Sequence, residues 1–399
     1  MSRRLLGGFV VAAMLGAPRA YAQGIDLLVP LPELEARAAR DSLDPGAQYD
    51  VALGYWFSRR FDDAERALRR SIAIEPKFAP SCLGLAYLPF ARRPKLWKEM
   101  REGRVPEEAR PAFDEAVRLY QRAFLLDPMV DLKVYALVMP PRPALVVGFN
   151  ADRTYVALVH GFEAFWSGDY EASLNHLERV LGEFRPKHEA DIPRVLLWYH
   201  GLAAAHVNRY DVAISDFRTL LNRALALERT DSVQYFTLAS NQVRYVLATL
   251  YRRGQRPDEA IALYQESLSN DLGLFAAHSQ LADIFEEREQ WIEAVAERQR
   301  AIDAFPDNSS LRYELGRTLA HARDFTHAAT VLSEAMEANP SNPRIPYSLG
   351  LVQLRLGDQP GARRTLARFV AMAPSRFSSQ VREVQQQLAK MDQAQAGSQ

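Results

Sequence analysis

The side chains best suited to chemistry in this sequence are its eight histidines, its clustered carboxylates and its single cysteine, Cys82. A histidine moves protons near neutral pH or ligates a metal, but a metal site needs three or four convergent ligands with supporting partners. His160, His200 and His206 lie scattered among apolar neighbours and are expected on helix faces or in the core. Glu286, Glu287 and Glu289 are the material of an acid and base pair, yet they surround Arg288 in the mixed-charge pattern of a solvated turn. Cys82 has no second cysteine, which excludes an internal disulfide and a cysteine zinc site. Glycine-rich phosphate loops, a G-x-S-x-G elbow and an H-E-x-x-H helix are all missing from the sequence. The expectation is a chain with no catalytic residue, no cofactor and no metal.

What the sequence does repeat is a packing pattern. Ala260, Ala294, Ala328 and Ala362 recur every 34 residues, as do Leu247, Leu281, Leu315 and Leu349, each followed by a small residue: Ala248, Ala282, Gly316, Gly350. Pro306, Pro340 and Pro374 keep the same step. The leucine and its small neighbour read as one helix and the second alanine as another, with small residues letting the two cross closely. Turn-like stretches at Arg253-Gly254-Gln255, Arg288-Glu289-Gln290, Ala322-Arg323-Asp324 and Leu356-Gly357-Asp358 separate them, and the proline ends the second helix. Each unit is therefore a helical hairpin.

This pattern resembles the tetratricopeptide repeat, with a small residue at position 8, an aromatic at 11, alanine at 20, an aromatic at 24 and proline at 32. Tyr251 and Phe285 fill position 11, while Arg298 and Leu332 stand where position 24 prefers an aromatic and Leu272 replaces the first proline. These departures are expected to weaken single repeats. Degenerate copies precede the regular ones: Gly201, Ala213 and Phe217; Gly161, Gly168, Asp169, Tyr170 and Ala172, one residue short; and Ala52, Tyr55, Ala64, Leu68 and Pro76. Leu83, Gly84 and Tyr87 open a further unit whose second half, Ala116, Tyr120, Ala123 and Pro128, arrives about 20 residues late, the mark of an insertion. The fold class is all-α, an α-solenoid of about eight hairpins over most of residues 45 to 374, which the resemblance makes a right-handed superhelix. The alternative is an α/α toroid, an envelope enzyme or glycan binder with Trp166, Trp198 and Tyr199 as stacking platforms.

The resemblance also places the partner surface, because in such solenoids the first helices line the concave groove. Carried over position by position, the groove residues are Trp198, Tyr199 and His206, then Tyr245 and Arg252, Gln280, Asp283 and Glu287, and Tyr313, Glu314, Arg317, Tyr347 and Arg355. Tyrosine, tryptophan and arginine dominate many interfaces. The tyrosines and Trp198 equally suit packing between repeats, which leaves Arg252 and Arg317 as the most pointed expectations. Position 6 holds Tyr199, Val246, Gln280, Glu314 and Ser348 where capture of a peptide's terminal carboxylate requires asparagine, so that mode is not expected. The expected function is a non-catalytic scaffold binding a peptide or protein surface.

The remaining features set location and boundaries. Arg3 and Arg4, the apolar run Leu5 to Leu15 and Ala20-Tyr21-Ala22 read as a signal peptide over residues 1–22, cleaved before Gln23, so a soluble product in the periplasm or outside the cell is expected. The 49 basic side chains balance 49 acidic ones, and removing Arg3, Arg4 and Arg19 leaves 46 against 49, which supplies no field for nucleic acid. Three stretches interrupt the repeats: Pro89 to Pro106, Val130 to Arg153, and Ala224 to Ser240. The expected organisation is N-terminal repeats over 23–129 with an insertion near 89–106, an apolar β-prone insertion over 130–153, repeats over 154–374 with best register over 241–374, and a capping helix with a frayed tail over 375–399. The middle insertion reads either as a binding loop or as a plug over an exposed repeat face.

Overall fold

A computed structural model describes residues 29–96, 99, 105–127, 153–166, 168–184, 192–228, 240–271, 274–306 and 308–396. The expected leader and residues 130–152 of the apolar insertion lie outside these. Among the described residues there are eighteen α-helices and no strand. In chain order they are α1 Leu31–Arg40, α2 Pro45–Phe57, α3 Phe61–Ile74, α4 Ala79–Arg92, α5 Arg110–Leu126, α6 Arg153–Trp166, α7 Tyr170–Phe184, α8 Arg194–His206 and α9 Tyr210–Glu228. They continue as α10 Ser240–Arg253, α11 Pro257–Asn270, α12 Phe275–Glu287, α13 Trp291–Ala304, α14 Ser309–His321, α15 Phe325–Ala338, α16 Arg344–Arg355, α17 Gln359–Met372 and α18 Ser378–Ala396. The all-α repeat architecture read from the 34-residue period is the fold. None of the described helices is long and apolar enough to cross a membrane.

The chain divides into two compact units, one holding Cys82–Leu263 and the other Leu31–Ser81 with Tyr264–Gln399. In the first, α6 packs on α7, α7 on α8, α8 on α9 and α9 on α10. In the second, α2 packs on α3, α12 on α13, α14 on α15 and α16 on α17, while α13 meets α14, α15 meets α16 and α17 meets α18.

One local rule builds the hairpins. A Cβ added at Gly161, Gly316 or Gly350 would stand 2.5 to 2.6 Å from Leu177, Leu332 or Leu366, and at Gly201 it would stand 3.0 Å from Phe217. In every case the facing residue lies sixteen positions on. The small residue of the first helix is thus a socket, and position 24 of the second helix is the knob that fills it. Leu332 and Leu366, both fully buried, fill this socket as Phe217 does in its repeat.

The turns obey a second rule. Among the described residues seven take positive φ: Arg59, Asn208, Gln255, Glu289, Arg323, Gly168 and Gly357. Each follows the small residue of its first helix by seven positions. The next residue's N–H then reaches back to a carbonyl five residues earlier, as in Arg209 to Ala204 at 2.8 Å, Gln290 to Phe285 at 2.8 Å and Asp324 to Leu319 at 2.9 Å. This left-handed helix closure satisfies carbonyls that the helix end leaves orphaned. Only two of the seven turns carry glycine, which is why composition alone hid them.

Several boundaries differ from the sequence reading. The copy around Gly161 keeps full register, because Ser173 and not Ala172 takes the place of the second alanine; its hydroxyl donates to the Gly161 carbonyl at 2.8 Å. Helix α4 continues through Pro89 to Arg92, and Tyr87–Tyr120 and Phe90–Phe113 edge contacts join the two halves of that interrupted unit. Helix α9 extends to Glu228, whose carboxylate accepts from the Ser240 N–H and hydroxyl at 2.7 Å each. The capping helix α18 runs to Ala396, with Val384, Val381 and Leu388 packed against Leu366 and Phe369.

The second unit has a feature the repeat period does not imply. Its first hairpin, α2–α3, bridges the connections of the late repeats. Asn339 donates to the Ile74 carbonyl at 3.2 Å, Glu75 accepts from Ser310 at 3.0 Å and pairs with Arg344 at 3.2 Å, and the turn before α2 joins in through Asp41–Ser375 and Asp44–Arg376. Asp41 is held below the usual carboxylate range: burial pushes its pKa up, but the Ser375 N–H and hydroxyl and the Arg40 guanidinium outweigh it.

The socket rule makes a paired prediction. Gly161→Val should destabilise the protein by about 1–3 kcal/mol through overpacking. Gly182→Ala, at an exposed helical site where a Cβ meets nothing within 4 Å, should stabilise it by about 0.5–1 kcal/mol. Urea titration followed by circular dichroism measures both, and an unchanged midpoint for Gly161→Val would discard the socket.

Candidate partner-binding surface

The groove residues named from the sequence divide into two groups once burial is known. Tyr245 is fully buried and its hydroxyl donates to the Leu125 carbonyl at 2.5 Å. Tyr199 is buried between Phe162 and Phe165, with ring centroids at 4.9 and 5.1 Å, and Trp198 packs on Phe217 at 5.0 Å. His206 stacks flat on Tyr170 at 3.9 Å. Tyr199 and Tyr245 are packing residues, whereas Trp198, against Phe217 of its own hairpin, and His206 are half-buried. Arg252 in α10, and Gln280 and Asp283 in α12, are half-buried, and Glu287 is exposed. Tyr313 and Tyr347 are half-buried, Tyr347 against Phe369 at 4.9 Å, and Arg317 and Arg355 are exposed.

Arg298 organises the acidic part of this surface. It projects from α13 at position 24, facing the Ala282 socket position, and is only 5% exposed. Its guanidinium binds Asp283, Glu286 at 2.7 Å and Glu314 at 3.2 Å, and also donates to the Ser279 carbonyl and the Thr318 hydroxyl at 3.2 Å each. Burial alone would lower its pKa, but Glu314, Asp283 and Glu286 more than offset that and hold it above the ordinary arginine value. Two of the named groove residues, Asp283 and Glu314, are therefore already engaged. Glu314 also accepts from Lys77, which follows α3, at 2.6 Å on both oxygens. The sequence flagged Arg298 only as a departure at an aromatic position; the acids on the helices to either side were the legible signal.

Beside this network lies a cavity of about 540 Å³ lined by α14, α15 and α16 and by the α14–α15 turn. Arg317, His321, Arg323, Ser348 and Arg355 supply its polar lining, and Ala320, Phe325, Leu332, Leu351 and Val352 its apolar lining. No carboxylate lines it. Arg317 lies over the Tyr313 ring at 6.0 Å, and His321 stacks on Trp291 at 6.3 Å. Arg323 reaches the rim because its backbone is left-handed, a placement that the turn rule sets and side-chain periodicity alone does not reveal.

The remaining chemical candidates are closed off. His200 takes the leucine position of its repeat and meets Asp216 across the hairpin at 2.5 Å, with the two side chains 1% and 2% exposed. His278 and Glu297 form a second buried pair at 2.6 Å. Each is a polar match inside a helix crossing that no substrate reaches. His160 is exposed beside His176, at 5.6 Å between rings, and burial pushes the His176 pKa down, with His160 adding to the effect. Among the described residues no group of three metal-ligating side chains converges. Cys82 is fully buried and its thiol is pushed up to about 11 by burial, with Arg122 pulling weakly the other way.

The tetratricopeptide repeat family model matches residues 200–275, 279–343 and 313–377. No curated protein sequence matches the chain. Among solved structures, MamA AMB-1 is similar at 17% identity, covering 45% of this chain and 91% of that one, with a TM-score of 0.35. The Cut9–Hcn1 hetero-tetramer of APC/C is similar at 12% identity, covering 85% and 76%, with a TM-score of 0.39. Yeast Tom70 is similar at 12% identity, covering 92% of each chain, with a TM-score of 0.34.

Two outcomes follow from the geometry. Arg298→Met should cost about 1–3 kcal/mol, because it leaves partly buried carboxylates without their shared donor; a thermal melt superposable on the parent's would show the network to be dispensable. Cys82 should resist a thiol reagent at neutral pH in the folded chain and titrate fully in denaturant. Rapid labelling of the native protein would contradict its burial.

Proposed function

Because the chain carries tetratricopeptide repeats, we propose that it is a non-catalytic scaffold that binds a peptide segment or a protein surface along its first helices. Its place is the bacterial envelope or the space outside the cell, delivered by a signal peptide over residues 1–22. A role within an envelope assembly or export complex fits such a location.

The observation that carries this reading is the division of labour on the first helices of the late repeats. Tyr313, Arg317, Tyr347 and Arg355 keep exposed or half-exposed surface, while the buried histidine pairs and the buried Cys82 have no route to a substrate. Arginine and tyrosine give large contact area and forked hydrogen bonds, which suits recognition better than turnover. Balanced charge leaves nucleic acid without a general basic face to bind.

Two measurements test the reading. The full chain, expressed in a bacterial host and fractionated, should appear in the envelope or medium with Gln23 as its first residue; a cytoplasmic product with an intact leader removes the location. Affinity capture from the envelope fraction should recover a reproducible protein partner. Recovery should fall at least about tenfold with Arg252→Glu and Arg317→Glu, while helical content and melting stay unchanged. Equal recovery by the parent and the variants would remove the first-helix surface from consideration.

A further inference from the structure

Arginines in several parts of the chain, buried and exposed, pair with nearby carboxylates. Arg298 has three carboxylates, Arg60 has Asp63 and Glu35, Arg209 has Glu178 and Arg256 has Glu259 and Asp211. The α14–α16 cavity is different. Three arginines, Arg317, Arg323 and Arg355, line one concavity, and among the described residues none of them meets a carboxylate. The nearest acid on the same helix, Glu314, is already held by Arg298 and Lys77. Like charges gathered around low-dielectric walls raise the local positive potential and favour an anion there over bulk water. At the same time Leu351 is 41% exposed beside Val352 and Ala320, an apolar floor within the cationic rim.

We propose that this cavity binds an extended acidic peptide segment, with one aliphatic side chain seated on Leu351 and Val352 and flanking carboxylates paired with Arg317, Arg323 and Arg355. The proposal rests on reading the first-helix face as the partner surface and gives that face a ligand class. The geometry favours an acidic peptide over a nucleic acid for two reasons. Forked guanidiniums match planar carboxylates two bonds at a time. Nucleic acid would need open aromatic faces for its bases and a cationic track for its backbone, whereas Phe325 is half-buried in the wall and the cationic cluster is confined to one cavity. A cavity of about 540 Å³ accommodates one large side chain with its neighbouring backbone, not a folded surface. Capture of a terminal carboxylate alone is a different mode, since internal acidic residues suffice for the three arginines.

The test uses the full chain and a short fluorescent peptide with a central leucine flanked by aspartates and glutamates, followed by anisotropy. The expected result is saturable binding that weakens at least about tenfold with Arg317→Glu or with Arg355→Glu, and that weakens with rising salt. Replacing the peptide's acids by their amides should abolish binding, and replacing its leucine by serine, or Leu351→Ser in the protein, should weaken it several-fold. Arg317, Arg355 and Leu351 are exposed, so circular dichroism should confirm unchanged folding, and Arg355→Gln gives a milder variant with the same expected direction. Equal affinity for the amide peptide, insensitivity to both charge reversals, or tighter binding of a single-stranded oligonucleotide overturns the proposal. If envelope capture of a partner succeeds while this peptide fails to bind, the acidic-ligand assignment falls and the scaffold reading stands.

Discussion

Everything in the described repeats depends on how closely two helices cross where a small residue on the first meets a larger one sixteen positions later on the second. At Gly161, Gly316 and Gly350 even a methyl group would stand within 2.6 Å of the opposing leucine. That distance leaves no room for relaxation by side-chain rotation alone, because the leucines are themselves fully buried. The crossing fixes the angle of the hairpin, the hairpin fixes the left-handed turn seven residues on, and the turn decides which side chains stand at the hairpin tip. Arg323 is placed by this sequence of constraints.

The socket also explains why the position-24 residue varies. Once the first helix presents a glycine or alanine, the knob has only to fill a defined space, and leucine, phenylalanine and arginine all do so in this chain. Arginine is the costly choice, since its charge must be matched after it is taken from water. Asp283, Glu286 and Glu314 supply that match from the helices on either side of Arg298. A substitution that looks like a defect against the repeat pattern thereby links α12, α13 and α14 by ionic contacts that leucine or an aromatic residue would not provide.

The repeats were legible because alanine, leucine and proline hold a strict interval after Leu247, and periodicity of that kind has one economical structural cause. The weaker copies were legible in outline but not in register: Ser173 replaces an alanine, and a rule written for residue names misses a substitution that preserves size. Helix ends were missed where proline did not terminate, as at Pro89, whose helix runs on to Arg92. The partner surface was legible only in part. Position within a repeat tells which helix carries a residue, but Tyr199 and Tyr245 show that large aromatics near the groove are drawn into the packing. The exposed arginines survived that competition because burying them without acids is unfavourable.

The same competition explains why the acids and the arginines of the second unit ended apart. Glu314 and Arg317 sit one turn from each other on α14 and are close enough in sequence to pair. They do not, because Glu314 is drawn toward the buried Arg298 and toward Lys77, where desolvation strengthens each contact, and a surface pairing with Arg317 would be worth a fraction as much. Burial of Arg298, which draws Glu314 from the next repeat as well as its own repeat's acids, thus leaves the neighbouring face of α14 without negative charge. The cationic cavity is the counterpart of the ionic core beside it, and a face left this way by the packing of the fold is where a partner's own carboxylates find the least resistance.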